Sequence, residues 1–338
     1  MVAIPEGGYT SGLDALAMDS LVERWLAARL TPEHRVVLGA LAAQISEHAH
    51  EVARFVDMRA QPRLVAHDLD GRRIDRVQLA PEHARLLEAL RPMVALALEP
   101  PDGLLAAFGA GYLLADPGLY CTITLTTQVA LVLDALAPHH QTLASLIEGP
   151  FWGATWFTEV HAGSDLGAIA SRARQEPNGT WRVSGEKFFA SNAGLADVAL
   201  VAAHVGEPRG VRSLGLFLVR RELPDGELAF SVRRLKEKLA TRAVPTGEVD
   251  LQDAPAELLA GPPDGIHRIL ESLTVARIAN AMGAAGVARV ALAEATVRSQ
   301  RRAAFGRPLR AHPLLADELA RMRAHQLGTT LLALELAE

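Results

Sequence analysis

Cysteine is almost absent. Cys121 stands alone in 338 residues, which excludes an internal disulfide and suits a reducing, cytoplasmic setting. With no basic residue beside it in sequence, Cys121 is expected as a small buried side chain rather than a nucleophile. Aromatic residues are scarce at 5%, while Ala, Leu and Arg dominate, a balance that favours helices. No run of five Lys and Arg occurs and the net charge is -5, so no polyanion partner is expected. Arg172, Arg174, Arg220, Arg221, Arg233 and Arg234 read as solvated strand ends rather than a basic face. No Gly-x-Gly-x-x-Gly follows a strand pattern, which removes support for a nicotinamide fold.

Metal and hydrolase signals are missing too. His139-His140, His48 and His50 lack partners at metal-ligand spacing. His48 and His50 point in different directions on a helix and are expected as surface side chains. Glu47, Glu51, Asp68 and Asp70 read as surface charges, not a glycosidase pair. The start, Met1-Val2-Ala3-Ile4-Pro5-Glu6, has no positive leader and no apolar core, unlike a secretory signal. The longest uncharged apolar stretches run from Gly103 to Ala115 and from Pro117 to Leu133. The second carries four Thr and a Gln, which predicts a buried helix and not a membrane span.

What is present falls into three textures, giving an α+β class. Residues 1–150 read as an N-terminal helical domain, 151–262 as a middle β domain, and 263–338 as the start of a C-terminal helical bundle. Thr31-Pro32-Glu33 is a helix start, with Val36, Val37, Leu41, Ile45 and Val52 recurring behind it. Ala80-Pro81-Glu82 opens another with Leu86, Leu87 and Leu90 inward, and Asp70-Gly71 marks a turn between the two. From Phe151, short runs at 153–160, 181–184, 198–203, 214–219 and 248–251 alternate with turn signals, and Pro177-Asn178-Gly179 predicts a hairpin. Asp264 is placed to cap a helix reaching about Arg302, with Ile266, Ile269, Leu270, Leu273 and Ile278 on one side. Gly283 and Gly286 inside it each cost about 1 kcal/mol against Ala, tolerable where another helix or a ligand approaches closely. His312-Pro313 opens a last helix, and the chain stops inside that helical pattern.

Two stretches carry chemistry. In Thr158-Glu159-Val160-His161-Ala162-Gly163-Ser164-Asp165, small residues let the backbone approach a ligand, and successive N–H groups can cradle anionic oxygens. In Gly185-Glu186-Lys187-Phe188-Phe189-Ala190-Ser191-Asn192, Phe188 and Phe189 point to opposite strand faces, so one ring is free to pack on a flat ligand. Ser191 shares the Phe189 face, and Lys187 is expected to be solvated. Taken singly, the first is equally a capped polar turn and the second a strand with a surface aromatic.

Read together with Arg302-Ala303-Ala304-Phe305-Gly306, these stretches resemble the acyl-CoA dehydrogenase superfamily, closest to its AidB-type adaptive-response branch. That branch also shows the Leu-Lys-x-Lys-Leu standing here as Leu235-Lys236-Glu237-Lys238-Leu239. The likeness runs from about Tyr112 onward, and Trp156 and Phe157 depart from the small and aliphatic residues usual before the Thr. The resemblance implies an FAD flavoprotein of the cytoplasm and a homo-oligomer. Thr158 would bond the pyrimidine side of the flavin, with Thr155 and Phe157 adding backbone. Ser164 would meet the diphosphate and the pantetheine of an acyl-CoA. Phe189 would cover the dimethylbenzene end, Ala190 would also belong to the cofactor site, and Ser191 would stand near N5. Arg302 and Phe305 would reach an FAD of a neighbouring subunit, and Arg277 would lie near the substrate.

The implied reaction is α,β-dehydrogenation of an acyl-CoA thioester: a carboxylate takes the α proton while hydride passes to flavin N5. Electrons would leave to an electron-transfer flavoprotein or other acceptor. The chain ends before the position where most of the family keeps that carboxylate, so no base is nominated. Arg277 cannot act as one at neutral pH, and Glu159, inside the flavin motif, is structural by the family pattern. Two rivals follow: a truncated, inactive relative that only binds, and a DNA-associated flavoprotein of the AidB type.

Overall fold

The computed structural model describes residues 19–338, apart from the side chain of His48; the reading of Met1 to Glu6 lies outside the described residues. Helices α1 (Ser20–Ala27), α2 (Pro32–Gln44) and α3 (His50–Arg59) come first, the last two joined by a π turn, Ile45–Ala49. Thr31 caps α2 through His34 N–H at 3.3 Å. A two-stranded hairpin follows, β1 (Arg63–His67) and β2 (Arg73–Gln78). Sequence reading expected only helices there; Asp70-Gly71 is the tip of this hairpin, with Gly71 at φ +80°. Its charged, half-exposed strands show no alternation strong enough to reveal them. Asp75, 1% exposed, fastens the hairpin to the β domain by accepting from Val232 N–H at 2.8 Å.

Four helices then build the larger core: α4 (Pro81–Leu90), α5 (Pro92–Ala97), α6 (Gly103–Leu114) and α7 (Pro117–Leu136), with a short α8 (Thr142–Glu148) after them. α6 is apolar all round and buried almost throughout, as a helix central to a bundle must be. Pro117–Leu136 and Gly265–Arg301 are long and apolar enough to cross a bilayer by length and composition, but 72% of the first is buried inside the fold. Its polar side chains dock it on the β domain: Gly153 N–H donates to Thr126 Oγ1 at 3.1 Å, and Asn192 Nδ2 donates to the Thr122 carbonyl at 3.3 Å.

The strands are β3 (Gly153–Trp156), β4 (Arg172–Gln175), β5 (Trp181–Ser191), β6 (Val198–Val205), β7 (Leu214–Arg220), β8 (Phe230–Leu235) and β9 (Thr246–Ala260). The pairings β4–β5–β9–β7–β6–β4 close on themselves, so the middle unit is a barrel. β3 extends β6 in parallel and β8 lies along β9. Trp156, Val183, Val201, Phe217, Phe230 and Val249 fill the interior, with the Trp156 and Phe230 rings edge-on at 4.8 Å. Pro177-Asn178-Gly179 makes the β4–β5 turn. β4 and β8, rich in Arg, escaped sequence reading because charge masks their alternation.

Helix α9 (Gly265–Arg301) runs 37 residues, about 55 Å at 1.5 Å per residue. Asp264 precedes it but makes no side-chain cap bond. Gly286 packs against the Tyr112 carbonyl so closely that any Cβ would collide, whereas a Cβ at Gly283 would meet only Tyr120 at 3.5 Å. A small hairpin, β10 (Ala303–Ala304) with β11 (Arg307–Pro308), turns the chain into α10 (Pro313–Ala337). The surface reading of His50 is corrected: it is half-buried against the Leu113 and Leu114 backbone, and burial lowers its pKa. The arginines form no free basic face. Arg221 is 1% exposed, Arg174 pairs with Glu176 and Asp253, Arg233 with Glu186 and Asp250, and Arg234 with Glu248.

Candidate functional site

β3 ends at Trp156 and the chain turns sharply through residues 157–165 before reaching β4. Glu159 and Ala162 exchange backbone hydrogen bonds at 2.7 and 3.3 Å, making a tight loop. Thr158 is tied sideways to β5, its carbonyl accepting from Phe188 N–H at 3.0 Å. Gly163 lies against the Thr158 methyl, 3.5 Å from where its Cβ would be. Ser164 follows, exposed, and Asp165 Oδ1 accepts from Gly167 N–H at 3.1 Å, as a capping residue should. Thr158, Ser164 and the end of β5 therefore border one surface.

Lys187 does not sit in solvent, contrary to the sequence reading. It is 1% exposed, and its Nζ donates to Glu159 Oε1 at 2.8 Å and to the Ala202 carbonyl at 2.9 Å. Burial works against a charged Glu159, yet Lys187, the Ser171 hydroxyl and Ala170 N–H together hold its carboxyl below the usual range. The lysine looked solvated because its acid lies 28 residues back and on another element. Glu159 is structural, as the motif implies: it locks the loop beneath Thr158.

β5 carries one extra residue against β9 between Lys187 and Ala190, a bulge that re-aims side chains. Because of the bulge the two rings do not part to opposite faces as expected: Phe188 is half-buried and Phe189 59% exposed, and their rings touch edge-on at 4.8 Å. Lys236 supports them from one side, its Nζ 3.2 Å from the Phe188 centroid and 5.0 Å from that of Phe189, a cation–π contact. Ala190 is wholly buried, and Phe157 is 5% exposed within the core, so each offers backbone rather than side chain. Ser191 accepts Trp156 Nε1–H on its carbonyl at 2.9 Å, and its hydroxyl lies 3.0 Å from Thr246 Oγ1.

Beside Ser191 a groove of about 40 Å³ opens between α7 and α9, lined by Cys121, Thr124, Gln128, Ala276, Asn280 and Gly283 among others. Thr155 lies behind one of these residues, its Oγ1 donating to Gln128 Oε1 at 3.5 Å, while Gln128 Nε2 donates to the Ser272 carbonyl at 2.5 Å. Cys121 is half-buried rather than buried as expected, at the groove wall; burial pushes its thiol up to about 11, with Lys238 and Ser191 opposing. The basic neighbour missing from the local sequence is thus Lys238, far along the chain. Arg277 sits on the exposed side of α9, one residue from Ala276, and does not line the groove. Arg302 and Phe305 lie beyond the far end of α9, about 45 Å from Ser272 by helix rise. Both are exposed, Phe305 at 96%.

The residues brought together are Thr155, Phe157, Thr158, Ser164, Phe189, Ala190 and Ser191. Those missed by sequence reading are Gln128, Cys121, Thr246 and the two lysines of Leu235–Leu239, a motif noted without a role for either. No cluster able to hold a metal ion occurs among the described residues.

The family model for acyl-CoA dehydrogenase, middle domain, matches residues 154–254, and that for the acyl-CoA dehydrogenase C-terminal domain matches residues 263–338. The chain belongs to the acyl-CoA dehydrogenase family. The putative acyl-CoA dehydrogenase AidB of Escherichia coli is 31% identical over 310 residues, covering 85% of this chain and 56% of that protein. The crystal structure of Caenorhabditis elegans ACDH-11 in complex with C11-CoA superposes with a TM-score of 0.83 at 26% identity, covering 96% of this chain and 59% of that one. A glutaryl-CoA dehydrogenase from Mycobacterium smegmatis in complex with FADH2 shares the fold, with a TM-score of 0.70 at 22% identity over 94% of this chain and 78% of that one. The chain spans about half the length of the curated relatives it matches. FAD is the cofactor that this family indicates.

The residues present fit that group. An aromatic ring left 59% uncovered at a strand bulge offers a flat face, and the adjoining segments carry the hydroxyls of Thr158, Ser164 and Ser191. Such a face suits a planar ring system carrying a diphosphate.

Proposed function

We propose that this chain is an FAD-dependent oxidoreductase of the acyl-CoA dehydrogenase type, acting on an acyl-CoA thioester. The observation that carries the reading is the exposed Phe189 ring on the β5 bulge, two residues before Ser191 on the strand whose Phe188 N–H bonds the Thr158 carbonyl. Phe189 would cover the ring system, Thr158 and Ser191 would bond its edge, and Ser164 would meet the diphosphate or the pantetheine. Thr155, held at Gln128, would steady the flavin side of the groove, and the acyl chain would enter between α7 and α9. Bound FAD supplies the hydride acceptor for α,β-dehydrogenation. The chain's own residues then align the thioester and exclude water from the groove.

No carboxylate lines the groove, so no residue is assigned as the base. That same observation favours a second reading, a relative that binds flavin and acyl-CoA without oxidising the thioester. DNA binding has less support, because Arg174, Arg233 and Arg234 of the barrel are engaged in ion pairs and Arg221 is buried. An assembly of identical subunits, with Arg302 and Phe305 reaching a neighbouring site, and electron transfer to a flavoprotein acceptor are parts of the same proposal.

Purified chain with bound flavin, titrated with acyl-CoA under exclusion of oxygen, separates these readings. Bleaching of the visible bands supports dehydrogenation. Perturbed but unbleached bands support binding alone, and a colourless chain that refuses added FAD overturns both.

A further inference from the structure

Lys238, in the segment between β8 and β9, has every donor accounted for. Its Nζ gives one hydrogen bond to the Thr241 carbonyl at 2.6 Å, one to the Val244 carbonyl at 2.6 Å and one to Thr246 Oγ1 at 3.0 Å. Burial lowers the Lys238 pKa to about 8; below that pH the group is an ammonium, which donates three times and never accepts. Thr246 Oγ1 must therefore accept from Lys238, which leaves its own proton to give away. Its neighbour is Ser191 Oγ, 3.0 Å off. Thr246 is 6% exposed, so no competing solvent shell surrounds that hydroxyl. Ser191 Oγ then accepts from Thr246, and its own proton is left to point outward. Cys121, which lines the groove, is the other group with which Ser191 interacts, and a thiol sulfur is only a weak acceptor.

We propose that Lys238 and Thr246 are positioning residues that fix the Ser191 hydroxyl as a hydrogen-bond donor to a ligand acceptor atom at the mouth of the groove. The inference rests on the functional reading above, in which that atom is a flavin ring nitrogen. A hydroxyl free to rotate meets donors and acceptors alike; one whose lone pair is already claimed from behind is biased toward an acceptor. The Leu235–Leu239 motif thereby gains two tasks. Lys236 backs the Phe188 and Phe189 rings, and Lys238, through one intervening hydroxyl, sets the polarity of Ser191.

The test is a double-mutant cycle in the full chain, read by equilibrium titration with FAD and by the position of the flavin's visible bands. Ser191→Ala and Thr246→Val are each expected to weaken FAD about three- to tenfold and to shift the bands alike. The double variant should be no weaker than Ser191→Ala alone, since both remove one chain of bonds. Thr246→Ser, which keeps the hydroxyl, should restore both affinity and spectrum. Multiplying effects in the double variant, or a Thr246→Val protein indistinguishable from the unmodified chain, overturn the relay. If Thr246→Val does not fold, Lys238→Met with Ser191→Ala supplies the same cycle. An unmodified chain that takes up no FAD overturns the functional reading and this inference with it, whereas normal uptake with multiplying losses overturns the relay alone.

Discussion

Lys187 Nζ and Glu159 Oε1 meet at 2.8 Å with neither side chain more than 8% exposed. The pair joins the interior of β5 to the loop that presents Thr158. Removing one partner strands a charge inside the protein, which costs about 3–5 kcal/mol. Lys187→Met should lower stability by that amount in urea unfolding, and Lys187→Met with Glu159→Gln should recover part of it. A single variant within about 1 kcal/mol of the parent contradicts the pair's role.

Phe189 offers the opposite case. Its ring is 59% exposed and touches little besides Phe188 and Lys236. Phe189→Ala should leave folding stability within about 0.5 kcal/mol, yet weaken FAD about tenfold if the ring is the flavin's platform. Unchanged FAD affinity in a titration removes Phe189 from the site.

Two glycines of α9 make a matched comparison. Gly286→Ala places a methyl in the Tyr112 carbonyl and should cost about 1–3 kcal/mol from overpacking. Gly283→Ala meets only ordinary contact with Tyr120 and should stabilise by about 0.5–1 kcal/mol through helix propensity. Thermal melts of the two variants check the sign of each.

His83 is fully buried, and among the described residues neither of its ring nitrogens has a hydrogen-bond partner. Burial brings its pKa down to about 4. Between pH ~6.5 and ~4 the unfolded chain binds the proton that the folded chain refuses. Stability should therefore fall as pH drops through that window, by roughly 3 kcal/mol at most. Urea midpoints across it should show a slope that His83→Leu flattens.

Cys121 carries the reverse sign. With its thiol held up at about 11, the folded chain keeps a proton that the unfolded chain loses near pH 9, so this contribution fades as pH rises from ~9 to ~11. At pH 8 native Cys121 should resist iodoacetamide while the urea-unfolded chain reacts. Rapid alkylation of the native protein counts against its setting.

Much of this was legible from residues alone, for identifiable reasons. Thr31-Pro32, Pro81, Pro177-Asn178-Gly179 and His312-Pro313 are local punctuation, and each stands where its chemistry demands. Apolar runs such as Val198–Val205 and Leu214–Arg220 declare themselves because both faces are buried. β1, β2, β4 and β8 did not, since their Arg and Asp side chains hide a two-residue rhythm. At the site, the hydroxyls and the exposed ring could be named because they belong to short contiguous stretches. Lys187, Lys238, Cys121 and Gln128 could not be placed, because each takes its meaning from a partner on another element: Glu159, Thr246, Ser191 and Ser272.

The bulge in β5 gives the strand an odd residue to spare, and the aromatic pair occupies it. Deleting Phe188 or Phe189 would let the ladder run evenly past this point, so β5 would become more regular. Regularity here would be a loss: Ser191 would still face Thr246 across β9, but Lys236 would support a single ring where two now stand together. The imperfection in the weave is what gives this surface its grip.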